Sequence, residues 1–207
     1  MILRSFAGAM LALAIVASPA LACQGDEIYS DDFSSGDGPW DNVDWATIGG
    51  GKAVLKLRPG YMGVLRFLGE LPKEFDMCVD VTYPAAKNPD GGTVGGLGFW
   101  FKDYENTYIV GTTPVGALGS FRITKNRFLV ASPFKVESAL KAGAGSKNRI
   151  RVTAKGNTIT VYVNDQRIRS FRGVPDEGYI GLYAESGQQE ESNPWEFTNF
   201  KLTEAPK

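Results

Sequence analysis

Histidine is absent from all 207 residues. That excludes Ser-His-Asp and Cys-His nucleophiles and any His-ligated zinc. Cysteine is nearly absent too: Cys23 and Cys78 are too few for a structural thiolate zinc site. An enzyme built on this chain has only carboxylates, Lys, Tyr or a hard cation to work with. Neither sign of charge is in excess, the net being −1, so the basic stripe expected of a nucleic-acid binder is missing. After the first 22 residues, no apolar run approaches the roughly 20 residues that cross a bilayer as a helix. Long helical periodicity is lacking as well, while Gly and Pro punctuate the chain throughout.

The first 22 residues read as a signal peptide. Arg4 gives the positive start, Phe6 to Ala17 is an apolar run, and Ala20-Leu21-Ala22 is an A-x-A site that places cleavage after Ala22. A single mature domain of residues 23–207, periplasmic or secreted, is therefore expected, and its length suffices for one core. Cys23 would be its first residue. In an oxidising compartment Cys23 and Cys78 are expected to pair, a bond worth roughly 4 kcal/mol at this separation. A second reading makes Cys23 a lipid anchor, since Ala-Leu-Ala-Cys resembles a degenerate lipobox. The Leu usual three places before the cysteine is Ala20 here, and Cys78 would lose its partner.

What the chain has in quantity is alternation. Ile150, Val152 and Ala154 alternate with Arg149, Arg151 and Thr153, and Ile159, Val161 and Val163 with Thr158, Thr160 and Tyr162. Between them lies the two-residue break Gly156-Asn157, the pattern of a β-hairpin with one face on a core. Asn164-Asp165 marks a second tight turn. Shorter strand patterns recur at Ile28–Phe33, Lys52–Leu57, Gly63–Leu68, Phe75–Tyr83, Gly95–Lys102, Asn106–Thr112, Leu118–Lys125, Arg127–Ala131, Tyr179–Glu185 and Trp195–Leu202. Val136 to Ala142 is expected to form one helical turn. About 12 or 13 short strands without a repeat unit predict an all-β fold, a two-sheet antiparallel jelly-roll sandwich.

Four segments carry a resemblance: Asp31-Asp32-Phe33-Ser34 with Trp40; Gly96-Leu97-Gly98-Phe99-Trp100-Phe101 with Tyr108-Ile109-Val110; the hairpin; and Gly178-Tyr179-Ile180-Gly181-Leu182 with Trp195-Glu196-Phe197-Thr198-Asn199-Phe200. In this order they resemble the concanavalin A-like, laminin-G-like jelly rolls. The chain is most similar there to exported bacterial domains named for 3-keto-disaccharide hydrolase. The resemblance spans nearly all of Ile28 to Thr203 and implies a sugar-directed role, as hydrolase or as binding module. It rests on strand and turn patterns, which specify fold better than function.

Glu74-Phe75-Asp76-Met77-Cys78-Val79-Asp80 approaches the three-carboxylate strand motif Glu-x-Asp-x-Glu or Glu-x-Asp-x-x-Glu of glycosidases on this fold. The third carboxylate is missing, because Cys78 and Val79 occupy its positions. The segment is read as a half-buried strand with a polar face. The stronger candidate is the glycine-lined face of the central strands. Simple alternation points Leu97, Phe99 and Phe101 one way and Gly98, Trp100 and Lys102 the other. Trp100 on that face would stack on a sugar ring, with Lys102, Tyr108, Arg122 and Tyr183 completing a binding site and Asp103 and Tyr104 in the adjoining turn. Gly98, Gly111 and Gly181 would leave room for the ligand. Were the site catalytic, Glu185 would be its acid/base and Asp103 the second carboxylate, with Lys102 or Arg122 stabilising an enolate. This reading requires that face to be hollow.

Asp31, Asp32, Asp37, Asp41 and Asp44 raise structural calcium, but their spacing matches no loop signature; they read as solvated turn carboxylates, and no cofactor is expected. Phe33, Trp40, Trp45 and Trp195 read as core. Arg167, Arg169 and Arg172 read as a solvated strand edge that discourages aggregation. The leading expectation is an exported, non-catalytic carbohydrate-binding module whose partner is a glycan or small sugar. The alternatives are a hydrolase or lyase of oxidised disaccharides and an envelope domain that meets a protein.

Overall fold

The computed structural model describes residues 23, 25–83, 92–188 and 194–207. The expected signal peptide, its cleavage site at Ala22, and most of the expected Ala85–Thr93 loop lie outside the described residues. Fourteen strands follow in order: β1 (Glu27–Asp31), β2 (Ala46–Gly49), β3 (Lys52–Leu55), β4 (Met62–Phe67), β5 (Phe75–Thr82), β6 (Val94–Asp103) and β7 (Asn106–Thr112). The rest are β8 (Ala117–Thr124), β9 (Arg127–Val136), β10 (Lys147–Lys155), β11 (Thr158–Val163), β12 (Gln166–Arg172), β13 (Tyr179–Glu185) and β14 (Trp195–Glu204).

They form two antiparallel sheets. The larger runs β12-β11-β10-β5-β14-β3-β2, and β1 also pairs with β14. The smaller runs β4-β13-β6-β7-β8-β9. Sequence neighbours pair through tight turns in the second half of the chain, while β5, β13 and β14 are inserted between strands distant in sequence. The expected hairpin is β10–β11, with Ile150 opposite Val163 and Ala154 opposite Ile159. Gly156 takes the positive φ its turn requires, 52°. Asn164 and Asp165 both have positive φ, the conformation of a two-residue type I′ turn, and they close β11 onto β12.

Between the sheets lies one continuous apolar core. The hairpin supplies Ile150, Val152, Ala154, Ile159, Val161 and Val163; β5 adds Phe75, Met77, Val79 and Val81. The smaller sheet answers with Leu65, Phe67, Leu97, Phe99, Val110, Leu118, Ile180 and Leu182. Phe33, Trp40 and Trp195 are buried as expected, whereas Trp45 is only half-buried at the margin. Cys23 and Cys78 form a disulfide, Cα to Cα 6.1 Å, tying the start of the described chain to the middle of β5. No helical turn forms at Val136 to Ala142. β9 runs on to Val136, and the segment after it is a turn in which the Leu140 N–H donates to the Glu137 carbonyl at 3.0 Å.

The polar face of β5 is occupied by ion pairs. Arg151 on β10 grips Asp76 with two hydrogen bonds, 2.8 and 2.7 Å, and Arg149 donates to Asp80 at 2.9 Å. The antiparallel register brings each arginine near its partner. Asp76 and Asp80 thus stabilise a sheet rather than a reaction. Among the described residues no helix is long and apolar enough to cross a membrane.

Candidate functional site

The glycine-lined face of β6 is not hollow. A Cβ at Gly98 would meet Val64 Cγ2 at 3.2 Å, one at Gly111 would meet Val94 Cγ1 at 2.3 Å, and one at Gly181 would strike the Leu65 carbonyl oxygen at 2.2 Å. The room those glycines leave is taken by the protein's own atoms. Val64, Val94, Phe101, Ile109, Phe121, Ile123 and Tyr183 form a second buried apolar cluster on this outer face.

Nor does Trp100 face it. The register between β6 and its neighbours slips after Phe99, and Trp100 adopts φ +48°. The extra residue inverts the alternation, so Trp100 turns inward beside Phe99 while Phe101 turns outward. The indole, only 5% exposed, packs edge-on against Phe75, Phe99 and Tyr108. Tyr108 is likewise in the core, stacked on Phe99 with 5.5 Å between centroids. Arg122 lies over the Tyr108 ring at 5.1 Å. Lys102 pairs with Asp176 at 2.8 Å, and Asp103 accepts hydrogen bonds from the Glu105 N–H and the Asn106 amide in its own turn. Trp100, Tyr108 and Arg122 therefore gather on the inner side of the sheet, and Tyr183 and Glu185 on the outer. Among the described residues these side chains do not share one cleft. The indole's edge instead borders a cleft of about 660 Å³ at the end of the sandwich, with Lys73, Asp176 and Glu177.

Three of the five aspartates of the expected cluster are also engaged. Asp31 accepts from the Tyr29 hydroxyl, the Trp40 indole N–H and the Phe33 N–H; Asp32 caps Ser34; Asp41 pairs with Arg66.

A different groove, of about 650 Å³, opens beside β4, at the edge of the smaller sheet. Its first wall is the turn Arg58-Pro59-Gly60-Tyr61. Pro59 presets the first central φ, Gly60 takes φ +75° at the second, and the Tyr61 N–H donates to the Arg58 carbonyl at 3.1 Å. This is a type II turn. It is moored by Gly60 donating to the Gly187 carbonyl and Ser186 donating to that of Tyr61, both 2.9 Å. The Tyr61 ring is left 61% exposed at its tip.

Trp45 forms another wall, its carbonyl accepting from the Lys56 N–H at 2.8 Å. It leans on Gly63, where a Cβ would come within 2.9 Å of the indole. Tyr104, 49% exposed, reaches in from the β6–β7 turn and stands edge-on over Phe101. Asp44, Lys56 and Arg58 supply the ionic groups, and among the described residues none of the three enters an ion pair. Three aromatic faces with free charged groups suit a ligand that has both an apolar ring face and many hydroxyls.

Met62 lines the groove and leads to the Tyr183–Glu185 pair. The Tyr183 hydroxyl lies 3.8 Å from Met62 Sδ and 2.8 Å from Glu185 Oε2. Burial raises the Glu185 carboxyl above its usual 4.5, opposed in part by the hydrogen bond from Tyr183. Burial and the adjacent carboxylate push the Tyr183 hydroxyl well above its ordinary value. The stability linked to Glu185 is fully present below about pH 4.5 and is lost as pH rises through the elevated folded value. Glu185→Gln is thus expected to unfold at higher temperature than the parent at pH 7 and to lack its decline above pH 4.5. Melting curves across that range check this; equal decline in both proteins would refute it.

Sequence reasoning missed Tyr61, Arg58, Lys56 and the groove role of Trp45. The Pro59-Gly60 dipeptide, a type II turn signal, was the available clue to an exposed Tyr61.

No protein-family model and no curated protein sequence matches the chain. Its backbone is similar to that of a protein of unknown function with a galectin-like fold from Bacillus subtilis, at TM-score 0.65 and 11% identity over 87% of this chain and 96% of that one. It is similar to the carbohydrate recognition domain of Emp47p at TM-score 0.61 and 18% identity, over 86% and 96%. It also resembles part of the GH43 protein BlXynB from Bacillus licheniformis, at TM-score 0.65 and 11% identity, where it covers 86% of this chain and spans only 40% of that one. At such identities the likeness establishes the fold, and the chain is a two-sheet antiparallel jelly roll of galectin-like architecture.

Proposed function

We propose that this chain is an exported carbohydrate-binding jelly roll whose groove beside β4 receives a sugar ring. The observation that carries the reading is the convergence of Tyr61, Tyr104 and Trp45 on one open groove beside Asp44, Lys56 and Arg58, which enter no ion pair among the described residues. Aromatic faces cover the axial C–H groups of a pyranose, and the charged side chains meet its hydroxyls, each of which needs a partner once desolvated. The similarity to the Emp47p carbohydrate recognition domain supports it. The Cys23–Cys78 bond supports an oxidising compartment, periplasmic or extracellular. A glycan array followed by titration calorimetry tests the proposal. Tyr61→Ala is expected to weaken binding about tenfold, or about 1.4 kcal/mol, because it removes the most exposed platform. The reading fails if no glycan binds, or if Tyr61→Ala and Tyr104→Ala both leave affinity unchanged.

One observation favours a second reading, hydrolysis or elimination of 3-keto-disaccharides. Glu185 is a half-buried carboxyl whose proton affinity burial raises above the ordinary carboxylate value, beside a tyrosine hydroxyl, just behind the groove wall at Met62. Such a group suits general acid–base work. Product from 3-keto-sucrose that disappears in Glu185→Gln would establish it; no product at high protein concentration would remove it.

A further inference from the structure

β9 is an edge strand with the exposure of a loop. Five of the twelve exposed large apolar side chains among the described residues lie on it: Phe128, Leu129, Val130, Phe134 and Val136. Edge strands that stay alone are kept short, charged or covered. This one has ten residues, and Phe128 and Val130 are 60% and 66% exposed.

Its partner follows from its register. β8 and β9 join through Lys125-Asn126, both at positive φ, so Thr124 and Arg127 close the hairpin as a hydrogen-bonded pair. Alternation then turns the backbone N–H and C=O of Phe128 and Val130 toward the free edge. The pairing slips once between Val130 and Ser132 and once between Ser132 and Lys135, which inserts one extra residue on each side of Ser132. Phe134 comes back over Gly119, and Val136 opposite Ala117. Ser132 is thereby the centre of the segment from Phe128 to Val136, with one extra residue on each side of it.

We propose that β9 pairs with β9 of a second copy of this chain, antiparallel about a two-fold axis through Ser132. Rotation about that axis sets Phe128 opposite Val136 and Val130 opposite Phe134, all four on the outer face with their backbone groups aimed at each other. On the inner face it sets Leu129 against the stem of Lys135, and Arg127 against Glu137. Aromatic-to-β-branched pairs and opposite charges are the cross-strand neighbours that sheets favour; the two Arg169 guanidiniums that approach the axis through Ser132 are each held by a Glu137. Arg169 already holds Glu137 and Ser132 from β12 beneath, which fixes the inner face for the incoming Arg127. The extra residues flank the axis symmetrically, so they face one another and leave the ladder in step. Pro133, which lacks an N–H, falls among them rather than at an edge-facing position. A self-complementary strand of this kind specifies a copy of itself, not an unrelated chain.

The dimer joins two six-stranded sheets into one of twelve strands. β4 lies at the far edge of each, so the two grooves would sit roughly 50 Å apart at strand spacing. On the carbohydrate reading, that makes the dimer a bivalent binder of extended glycan.

Sedimentation of the purified protein tests the pairing without reference to any sugar. A reversible dimer of the mature chain is expected, weakened roughly a hundredfold by Val130→Lys and unaffected by Val115→Lys, another half-exposed valine. Ser132 faces its own copy at a non-hydrogen-bonded position, where Cα atoms lie about 4.5 Å apart, close enough for a disulfide. Ser132→Cys should therefore form a covalent dimer on oxidation, and Val174→Cys should not. A monomer at all concentrations, a dimer indifferent to Val130→Lys, or failure of Ser132→Cys to cross-link would each overturn the proposal.

Discussion

Arg151→Met should lose about 3–5 kcal/mol of stability, a large part of what a domain of this size has. The guanidinium holds both oxygens of Asp76, whose side chain is wholly buried, while Arg151 itself is 5% exposed. It also lies 4.6 Å over the Tyr162 ring. Methionine fills much of the same volume, so little of the loss is cavity; the cost is removal of the guanidinium that binds both oxygens of a wholly buried carboxylate. Two comparisons isolate that cause. Arg149→Met strips Asp80 of a similar partner, but Arg149 and Asp80 are 25% and 11% exposed and Asn199 also bonds Asp80, so a loss of only about 1 kcal/mol is expected. Asp76→Leu combined with Arg151→Met should recover most of the single-variant loss, since paired apolar replacements of a buried ion pair are often neutral. Urea unfolding with an unchanged m-value measures all three. An Arg151→Met midpoint close to the parent's would show that the pair carries no such load.

That pair also marks where legibility in the sequence ended. The hairpin was readable because period-2 alternation, the Gly156-Asn157 turn and Asn164-Asp165 are local signals whose geometry the backbone obeys. The disulfide was readable because two cysteines allow one pairing. The sheet order was not, since β5 meets β10 and β14 only after long loops close. Arg151 and Asp76, 75 residues apart, therefore gave no sign of contact. Trp100 shows a sharper failure. Reading its face required the strand to be regular, and one residue inserted between Gly98 and Phe101 relative to β13 reversed the parity there. Glycine spacing misled for a related reason: a missing side chain is as useful for seating Val64 or Val94 as for seating a ligand. The aromatic groove lay instead on Tyr61, Tyr104 and Trp45, brought together from three separate turns, and only the Pro59-Gly60 turn could have announced it.

Removal of the Cys23–Cys78 bond should lower stability by about 4 kcal/mol, the loop-closure term for a separation of 55 residues. The native state loses little by itself. β1 remains paired with β14 from Glu27 onward, and the Glu204 N–H still donates to the Asp26 carbonyl at 2.9 Å. What changes is the unfolded chain, which regains the freedom of the segment holding β1 to β4. For a domain of 150–250 residues, such a loss corresponds to a fall in Tm of about 8–16 °C. Reduced protein, or the Cys23→Ser, Cys78→Ser double variant, should show that fall in calorimetry while keeping the parent's far-UV spectrum at 25 °C. If the bond instead acted by pinning the first residues to β5, its removal would fray Cys23 to Asp26, raise amide exchange there alone and barely move Tm. The same sulfur decides the lipid question, because a thioether on Cys23 cannot also bond Cys78. Intact mass of the protein recovered from its native host separates the two, the disulfide appearing as the loss of two hydrogens and the acyl anchor as a large gain. An acylated Cys23 with Cys78 reduced would remove the cross-link and the stability argued from it together.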